Sequence, residues 1–100
     1  MRARIHIDPE KITEFCRRNR IRKLSLFGSV LRDDFRPDSD VDFLVEFNPE
    51  VRIGYLGLAG LELELEELLG REVDLRTPQE LSPYFRDEVV AGAELQYAEG

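Results

Sequence analysis

A chain of 100 residues, 35% of them charged and 42% hydrophobic, predicts one soluble globular domain, because domains usually contain roughly 100 to 150 residues. The formal charge of −7 disfavours direct binding of nucleic acid, which needs many lysine and arginine contacts to phosphate. The longest uncharged stretch, residues 53–61, is far shorter than the roughly 20 apolar residues of a membrane span, and no signal-like segment follows Met1, so we expect a cytoplasmic protein.

The first predicted element is a helix over residues 9–19. Asp8 suits the N-cap position, and a proline follows at the first helical position, where a missing N–H costs nothing. Ile12, Phe15 and Cys16 fall at helical spacing on one face. We therefore expect the only cysteine to be a small core residue, and a reactive thiol is the alternative.

A basic segment follows at residues 17–23, which contain five positive charges. These charges could complement the negative end of the helix dipole and solvate the turn. They could also form a patch for a phosphate-bearing or acidic partner. The sequence leaves both interpretations open.

Three strands are predicted after the basic segment. Residues 24–27 form a short apolar run that stops at a glycine, and residues 41–47 form the second strand. Pro37 and Asp38 favour a turn in the loop between them. Residues 72–75 are the third candidate strand.

Residues 54–69, between the second and third strands, have an ambiguous pattern. Residues 61–65 alternate as a strand does, but the length of the segment and its four glutamates favour a helix that ends at Gly70. Leu56 and Leu63 fall on the side opposite the predicted core stripe. This leucine pair is either a tolerated part of the surface or a docking surface.

A final helix is predicted from residue 82 to about residue 97, with Ser82 as its N-cap and a proline at its first position. Taken together, these elements predict a single α/β domain over residues 1–100. Its expected architecture is a small mixed β-sheet flanked by helices.

A pair of aspartates marks the first part of a candidate site. Asp40 and Asp42 are two residues apart at the start of a strand, so both carboxylates should share one face. Adjacent like charges repel unless a cation lies between them, and Mg²⁺ prefers such oxygen ligands. Asp74 would add a third carboxylate if its strand lies beside that of Asp42. Three carboxylates can place two metal ions for an in-line phosphoryl displacement.

A glycine and a serine mark the second part. Gly28 permits a close backbone approach, and the N–H groups of the following turn, with the Ser29 hydroxyl, can hold phosphate oxygens. Neither part is specific alone, because Asp-x-Asp pairs also solvate turns and strand edges. Their combination at this spacing favours a phosphate and metal site.

Gly28-Ser29, then ten residues, then Asp40-Val41-Asp42 resembles the Gly-Ser-x10-Asp-x-Asp signature of the nucleotidyltransferase superfamily that includes DNA polymerase beta. Residues 27–32 and 37–47 resemble more closely its minimal nucleotidyltransferase (MNT) branch, which contains antitoxins paired with HEPN-type ribonuclease toxins. Leu31 and Asp33 stand where the family often has alanine and glycine.

The resemblance implies a nucleotidyltransferase fold and an Mg²⁺-dependent transfer of AMP from ATP to a tyrosine of the cognate toxin, which silences the toxin. Its site residues would be of two kinds. The Mg²⁺ ligands and catalytic acids would be Asp40, Asp42 and Asp74, the last also a base, and the nucleotide-binding residues would be Gly28, Ser29 and Arg32. Two Mg²⁺ ions and ATP are the implied cofactors. A toxin protein, held in a hetero-oligomer, is the implied partner.

Two other functions stay open on the sequence alone. The chain could be a binding antitoxin with a vestigial nucleotide site, which blocks its partner through Leu56, Leu63 and residues 17–23. It could also transfer a nucleotide to a small molecule or RNA, although the branches that do so usually carry an additional acceptor-binding domain. The intact acids at every signature position favour the transferase.

Overall fold

The computed structural model describes residues 7–31, 36 and 39–99. Within these residues the secondary structure alternates between helices and strands along the chain. The helices are α1 (Pro9–Arg18), α2 (Tyr55–Leu69) and α3 (Arg86–Gly92), and the strands are β1 (Ile21–Phe27), β2 (Val41–Phe47), β3 (Val73–Arg76) and β4 (Glu94–Ala98). Short 3₁₀ turns occupy Gly28–Leu31 and Pro78–Glu80. No helix in this described part is long and apolar enough to cross a membrane.

The four strands form one mixed sheet in the order β3-β2-β1-β4, so the predicted architecture is confirmed. β1 pairs antiparallel with both β2 and β4, whereas β2 and β3 are parallel. Parallel neighbours need a crossover connection, and α2 supplies it. β2 therefore lies between β1 on one side and β3 on the other.

The core is one cluster between the sheet and helices α1 and α2. Ile12, Phe15 and Cys16 of α1 are at most 1% exposed, as predicted, and α2 contributes Leu61 and Leu65. Burial raises the pKa of the Cys16 thiol to about 12. Cys16 is therefore a core residue and not a reactive thiol.

The two faces of the sheet carry different residues. On the core face, Leu26 of β1 lies beside Phe43 of β2. On the opposite face, Phe27 lies beside Asp42, and Asp42 lies beside Asp74 of β3. The acidic residues of β2 and β3 therefore project away from α1 and α2.

The ends of α1 and α2 confirm the predicted caps. Asp8 Oδ1 accepts a hydrogen bond from Glu10 N at 3.0 Å at the start of α1. At the end of α2, Gly70 takes the left-handed conformation with φ 69° and donates from its N–H to the Glu66 carbonyl. Glycine adopts this conformation without the steric cost of a Cβ, which explains why the helix stops there.

The prediction of a final helix over residues 82–97 is wrong. Ser82 does not cap a helix: its Oγ accepts from Tyr84 N at 3.3 Å within a turn, and α3 covers only Arg86–Gly92. The chain then forms β4, which pairs with the free edge of β1. Because Tyr97 packs against the core beside Leu24, pairing and burial outweigh the helical propensity of this segment.

Candidate active site

Five of the predicted site residues lie at one end of the sheet: Gly28, Ser29, Asp40, Asp42 and Asp74. Gly28 and Ser29 follow the last residue of β1. Asp40 immediately precedes β2, Asp42 is its second residue, and Asp74 lies in β3. The strand order places β1 and β3 on either side of β2. As a result, the turn that follows β1 and the acid of β3 both border Asp42.

Gly28 lies directly against the Asp42 carboxylate. Its φ is +77°, and a Cβ built on it would lie 2.5 Å from Asp42 Oδ2. Any other residue would therefore meet both a strained backbone and a side-chain contact. Val30 and Leu31 are buried and anchor the 3₁₀ turn, which leaves Ser29 half-buried at its surface. The close backbone approach predicted for Gly28 is thus made to Asp42.

Asp40 lies beside a second acid, Glu72. Val41 N donates to the Glu72 carbonyl at 2.9 Å, which brings residues 40 and 72 side by side at the entrance to the parallel pair. A side-chain hydrogen bond to Asp40 raises the pKa of Glu72, and repulsion from the Asp40 and Glu66 charges raises it further. The excess of negative charge around Asp40 therefore favours a proton or a cation.

The sequence interpretation missed Glu72. A signal was present, because Glu72-Val73-Asp74 repeats the acid-x-acid spacing of Asp40-Val41-Asp42. This spacing indicates a shared site only when the strand register is known, because Val41 pairs with Val73 and Asp42 with Asp74. Asp42 and Asp74 then lie side by side on one face of the sheet, and Asp40 and Glu72 each stand one residue before their strands.

Asp74 is beside Asp42 in the backbone but binds an arginine of its own strand. Arg76 Nε lies 3.1 Å from Asp74 Oδ1, and Arg76 Nη2 lies 3.2 Å from Oδ2. This hydrogen bond with Asp74 raises the pKa of Arg76. In the part of the chain that the structure describes, no three acidic, histidine or cysteine side chains are arranged to hold a metal ion. The role of Asp74 as a third ligand therefore stays a prediction.

The donor set of the site fits Mg²⁺. Asp42 in β2, and Asp40 just before the strand, offer hard carboxylate oxygens. Mg²⁺ commonly binds through one or two carboxylates together with phosphate oxygens of a substrate. The hydrogen bond with Asp40 and the repulsion from its charge raise the pKa of Glu72, and a divalent cation would relieve such repulsion between carboxylates.

Arg71 holds the loop that leads into Asp40. Its Nη2 donates to the Arg36 carbonyl at 2.9 Å and to the Ser39 carbonyl at 3.2 Å. Ser39 Oγ in turn accepts from Arg36 N at 3.1 Å. Sequence reasoning could not find this contact, because it joins residues far apart in the chain. Arg32, predicted to bind the nucleotide, lies outside the described residues.

The basic segment, residues 17–23, lies at the other end of β1 from Gly28. Arg18 forms ion pairs with Glu14 and Glu64, and Arg22 pairs with Glu46 at 3.1 Å. Part of this segment is therefore compensated within the protein. Its charges do not contribute to the candidate active site.

A family model for the nucleotidyltransferase domain matches residues 9–95. The chain belongs to the nucleotidyltransferase family. Members of this family are enzymes, and so is this protein. The resemblance of residues 28–42 to the nucleotidyltransferase signature is therefore confirmed. The match spans both halves of the candidate active site, from α1 to β4.

Relatives of this nucleotidyltransferase are named for transfer to proteins. A candidate protein adenylyltransferase of Methanocaldococcus jannaschii is 36% identical over 80 residues, which are 80% of this chain and 84% of the relative. The protein adenylyltransferase MntA of Thermococcus cleftensis is 46% identical over 55 residues, which are 55% of this chain and 54% of the relative.

Solved structures share the fold of this nucleotidyltransferase. A candidate minimal nucleotidyltransferase is 38% identical, with a TM-score of 0.69 over 85% of both chains. A toxin–antitoxin complex with AMP-PNP has a TM-score of 0.74 at 22% identity, over 93% of this chain and 75% of that one. A complex of a tri-AMPylated Shewanella oneidensis HEPN toxin with an MNT antitoxin has a TM-score of 0.66 at 22% identity, over 91% of this chain and 70% of that one. At this identity the last two show the fold alone.

Proposed function

We propose that this nucleotidyltransferase transfers AMP from ATP to a tyrosine of a HEPN-type ribonuclease toxin and thereby acts as its antitoxin. The observation that carries the proposal is the contact of the Gly28 backbone with the Asp42 carboxylate, 2.5 Å from the position of an added Cβ. It places the turn proposed to bind phosphate against the carboxylate proposed to bind metal. The names of the relatives support adenylyl transfer to a protein, and the toxin complexes support the kind of acceptor.

In this proposal the site residues have three roles. The backbone N–H groups of the turn at Gly28 and Ser29 bind the nucleotide phosphates, and Arg32 assists them. Asp40 and Asp42 hold Mg²⁺, with Asp74 as the third ligand of a site for two ions. Bound Mg²⁺ would neutralise the phosphate charge and lower the pKa of the attacking hydroxyl.

The reaction is an in-line displacement at the α-phosphorus of ATP. The tyrosine Oη forms a bond to this phosphorus, and the bond between the phosphorus and the bridging oxygen of the β-phosphate breaks. Pyrophosphate leaves with the electron pair of that bond, and Asp74 accepts the phenolic proton. Because such a reaction depends mostly on positioning and charge stabilisation, a small domain with few polar groups can catalyse it.

Mass spectrometry of the toxin tests the proposal. The purified protein is incubated with its toxin, ATP and Mg²⁺, and the toxin is expected to gain the mass of one or more AMP units on tyrosine. Asp40→Asn and Asp42→Asn should each slow the transfer by at least about a hundredfold. Glu50→Gln, an exposed acid in the turn after β2, is the matched control and should leave the rate unchanged. Full activity of the Asp40→Asn/Asp42→Asn double variant would refute the proposal.

A second candidate function is a binding antitoxin without transferase activity. One observation favours it, because the Asp74 carboxylate is bound to Arg76 in the structure. In that case the double aspartate variant would still inhibit the ribonuclease, and the mass of the toxin would not change. The same incubation therefore distinguishes the two functions.

A further inference from the structure

Asp74 and Arg76 form an ion pair on the sheet face that carries the candidate active site. Both carboxylate oxygens of Asp74 accept hydrogen bonds from the one guanidinium of Arg76. Arginine makes this two-point contact with carboxylates and with phosphates alike. Arg76 therefore occupies an acid that the proposed reaction needs, and it is itself a group suited to bind the phosphates of the substrate.

The pair borders the proposed phosphate site. In the parallel register Asp74 lies beside Asp42, and Arg76 lies beside Leu44. Neighbouring strands are about 4.8 Å apart, so contact with Asp74 holds the Arg76 guanidinium next to the strand of Asp42. β1 and β3 flank β2. A phosphate bound at Asp42 would thus have the turn at Gly28 on one side and Arg76 on the other.

Arg76 also supplies a charge that the site needs when no cation is bound. Asp42 and Asp74 are opposite each other on adjacent strands, where two like charges destabilise a sheet. The guanidinium offsets one of these charges from within the protein. It is no longer needed for this purpose when the acids have other cations to bind.

The pair is easy to separate. The side chains of Arg76 and Asp74 are 47% and 36% exposed, and Arg76 is the last residue of the edge strand β3. Exposed ion pairs contribute little to stability, because water competes for both charges. A guanidinium can therefore leave this carboxylate for a phosphate, which accepts the same two-point contact, without disturbing the fold.

We propose that Arg76 is a nucleotide-binding residue that the free enzyme keeps on Asp74. When the triphosphate of ATP enters, Arg76 turns from the carboxylate to phosphate oxygens, and Asp74 becomes available as a metal ligand and base. The nucleotide thus completes the site for its own reaction. The inference rests on the proposed function for the role of Asp74, but the exchange is a binding property and is measured without transfer.

Two binding measurements on Arg76→Met test the exchange, because it predicts effects of opposite sign. Without nucleotide, the variant should bind Mn²⁺, which prefers the same carboxylate ligands as Mg²⁺, about fivefold more tightly than the wild type, since no guanidinium competes for Asp74. With EDTA present, the variant should bind ATP at least about tenfold more weakly, since a charge-assisted contact to phosphate is lost. Electron paramagnetic resonance measures the Mn²⁺ affinity, and titration calorimetry measures the ATP affinity.

Arg22→Met is the matched control. Arg22 is 51% exposed and pairs with Glu46 at 3.1 Å, but at the other end of the sheet from the site. This variant should leave both affinities unchanged. Arg76→Lys, which keeps the charge without the two-point contact, should fall between Arg76→Met and the wild type in both measurements. If Arg76→Met left both affinities unchanged or lowered both, the exchange would be wrong.

A double-mutant cycle separates the exchange from a general effect of charge. If Arg76 competes with the cation for Asp74, then adding Arg76→Met to Asp74→Asn should change the Mn²⁺ affinity by less than about twofold. A fivefold tightening that persisted without the Asp74 carboxylate would contradict the proposal, because it would come from the lost charge alone.

Nuclear magnetic resonance observes the guanidinium directly. The Arg76 Nε–H resonance, assigned by its absence in Arg76→Lys, should shift when ATP is added with EDTA, whereas that of Arg22 should not. An Arg76 resonance that stays in place at saturating ATP would show that the pair with Asp74 persists, and would overturn the exchange. None of these measurements uses the toxin or the transfer reaction. A failure of the exchange is therefore distinguishable from a failure of the proposed function, which the mass of the toxin decides.

Discussion

Gly28 and Asp42 lie against each other in the candidate active site. The turn that is proposed to bind phosphate cannot move toward β2, since the Asp42 carboxylate fills the space that a side chain at Gly28 would take. Conversely, the position of the carboxylate is restricted by the turn. A change at Gly28 should therefore disturb both the proposed nucleotide binding and the proposed metal binding.

We predict that Gly28→Ala abolishes transfer. The left-handed φ of +77° costs an alanine about 1 to 2 kcal/mol, and the new methyl group displaces the Asp42 carboxylate. Urea unfolding should show this loss of stability, and the transfer rate should fall by at least about a hundredfold.

Gly70→Ala is the matched control for this prediction. Gly70 has a φ of +69°, but a Cβ there would meet nothing within 4 Å. The variant should lose a similar free energy of unfolding and keep its activity. If Gly28→Ala were as active as Gly70→Ala, the contact with Asp42 would have no catalytic importance.

At the scale of single residues, prediction from the sequence depends on local spacing. Gly28, Asp40 and Asp42 lie within one short segment, so their spacing was enough to single them out as candidates. The position of Glu72 beside Asp40 and the hydrogen bond from Arg71 to the Ser39 carbonyl both depend on which strands are neighbours. The local sequence pattern does not contain this information. The pairing of Asp74 with Arg76 was missed for a different reason, because a side-chain torsion decides it.

At the scale of elements, α2 also protects the edge of the sheet. β3 is an edge strand, and the N–H groups of Val73 and Leu75 point away from β2. Glu66 accepts the first at 3.0 Å and Glu62 accepts the second at 2.7 Å. Exposed strand edges invite aggregation, so these two glutamates both stabilise β3 and block its pairing with another chain.

We predict that Glu62→Ala/Glu66→Ala destabilises the fold by about 1 to 3 kcal/mol, because two partly buried N–H groups lose their acceptors. Glu62→Gln/Glu66→Gln keeps an oxygen acceptor at each position and should cost less than about 1 kcal/mol. Urea unfolding measures both variants, and Glu50→Ala at an exposed turn should change the stability little. Equal losses for the alanine and glutamine pairs would show that charge rather than hydrogen bonding matters.

Element prediction was accurate where the chain carried distinct caps and periodicity. β2 and α2 agree with their predicted bounds to within a residue, since Gly70 gives α2 a definite end. β1 begins at Ile21, earlier than predicted. The charged residues Arg22 and Lys23 interrupt the apolar pattern, so the prediction included only the second part of the strand. The predicted last helix became α3 and β4, since pairing with β1 decided the fold of residues 94–98.

At the scale of the whole molecule, a single core cluster joins α1, the sheet and α2. Cys16 is fully buried in it. The thiolate is the form that reacts with alkylating reagents. Because burial raises the pKa of this thiol to about 12, very little thiolate is present at pH 8. Reaction at Cys16 therefore requires the core to open.

We predict that iodoacetamide at pH 8 modifies Cys16 in urea but not in the folded protein. The introduced cysteine of Ala91→Cys, at an exposed position of α3, should react within minutes in the same sample and serves as the control. Mass spectrometry of tryptic peptides separates the two sites. Rapid modification of Cys16 in the folded state would show that α1 opens independently of the rest.

The same pKa shift makes stability depend on pH. An unfolded cysteine ionises near pH 9, whereas Cys16 in the fold keeps its proton to about pH 12. Because the unfolded chain releases its proton first, this contribution to stability is complete below about pH 9 and declines as the pH rises toward 12. Cys16→Ala should remove this part of the alkaline decline.

The register of the sheet also has a consequence for the order in which the site is completed during synthesis. The β1–β2 hairpin contains Gly28, Ser29, Asp40 and Asp42, so a nascent chain that ends after β2 already holds both aspartates and the phosphate turn. Asp74 joins them only when α2 has formed and β3 docks in parallel beside β2. Local hairpins form before non-local parallel pairs. The growing chain thus brings together the residues proposed to bind the nucleotide before it acquires the proposed base.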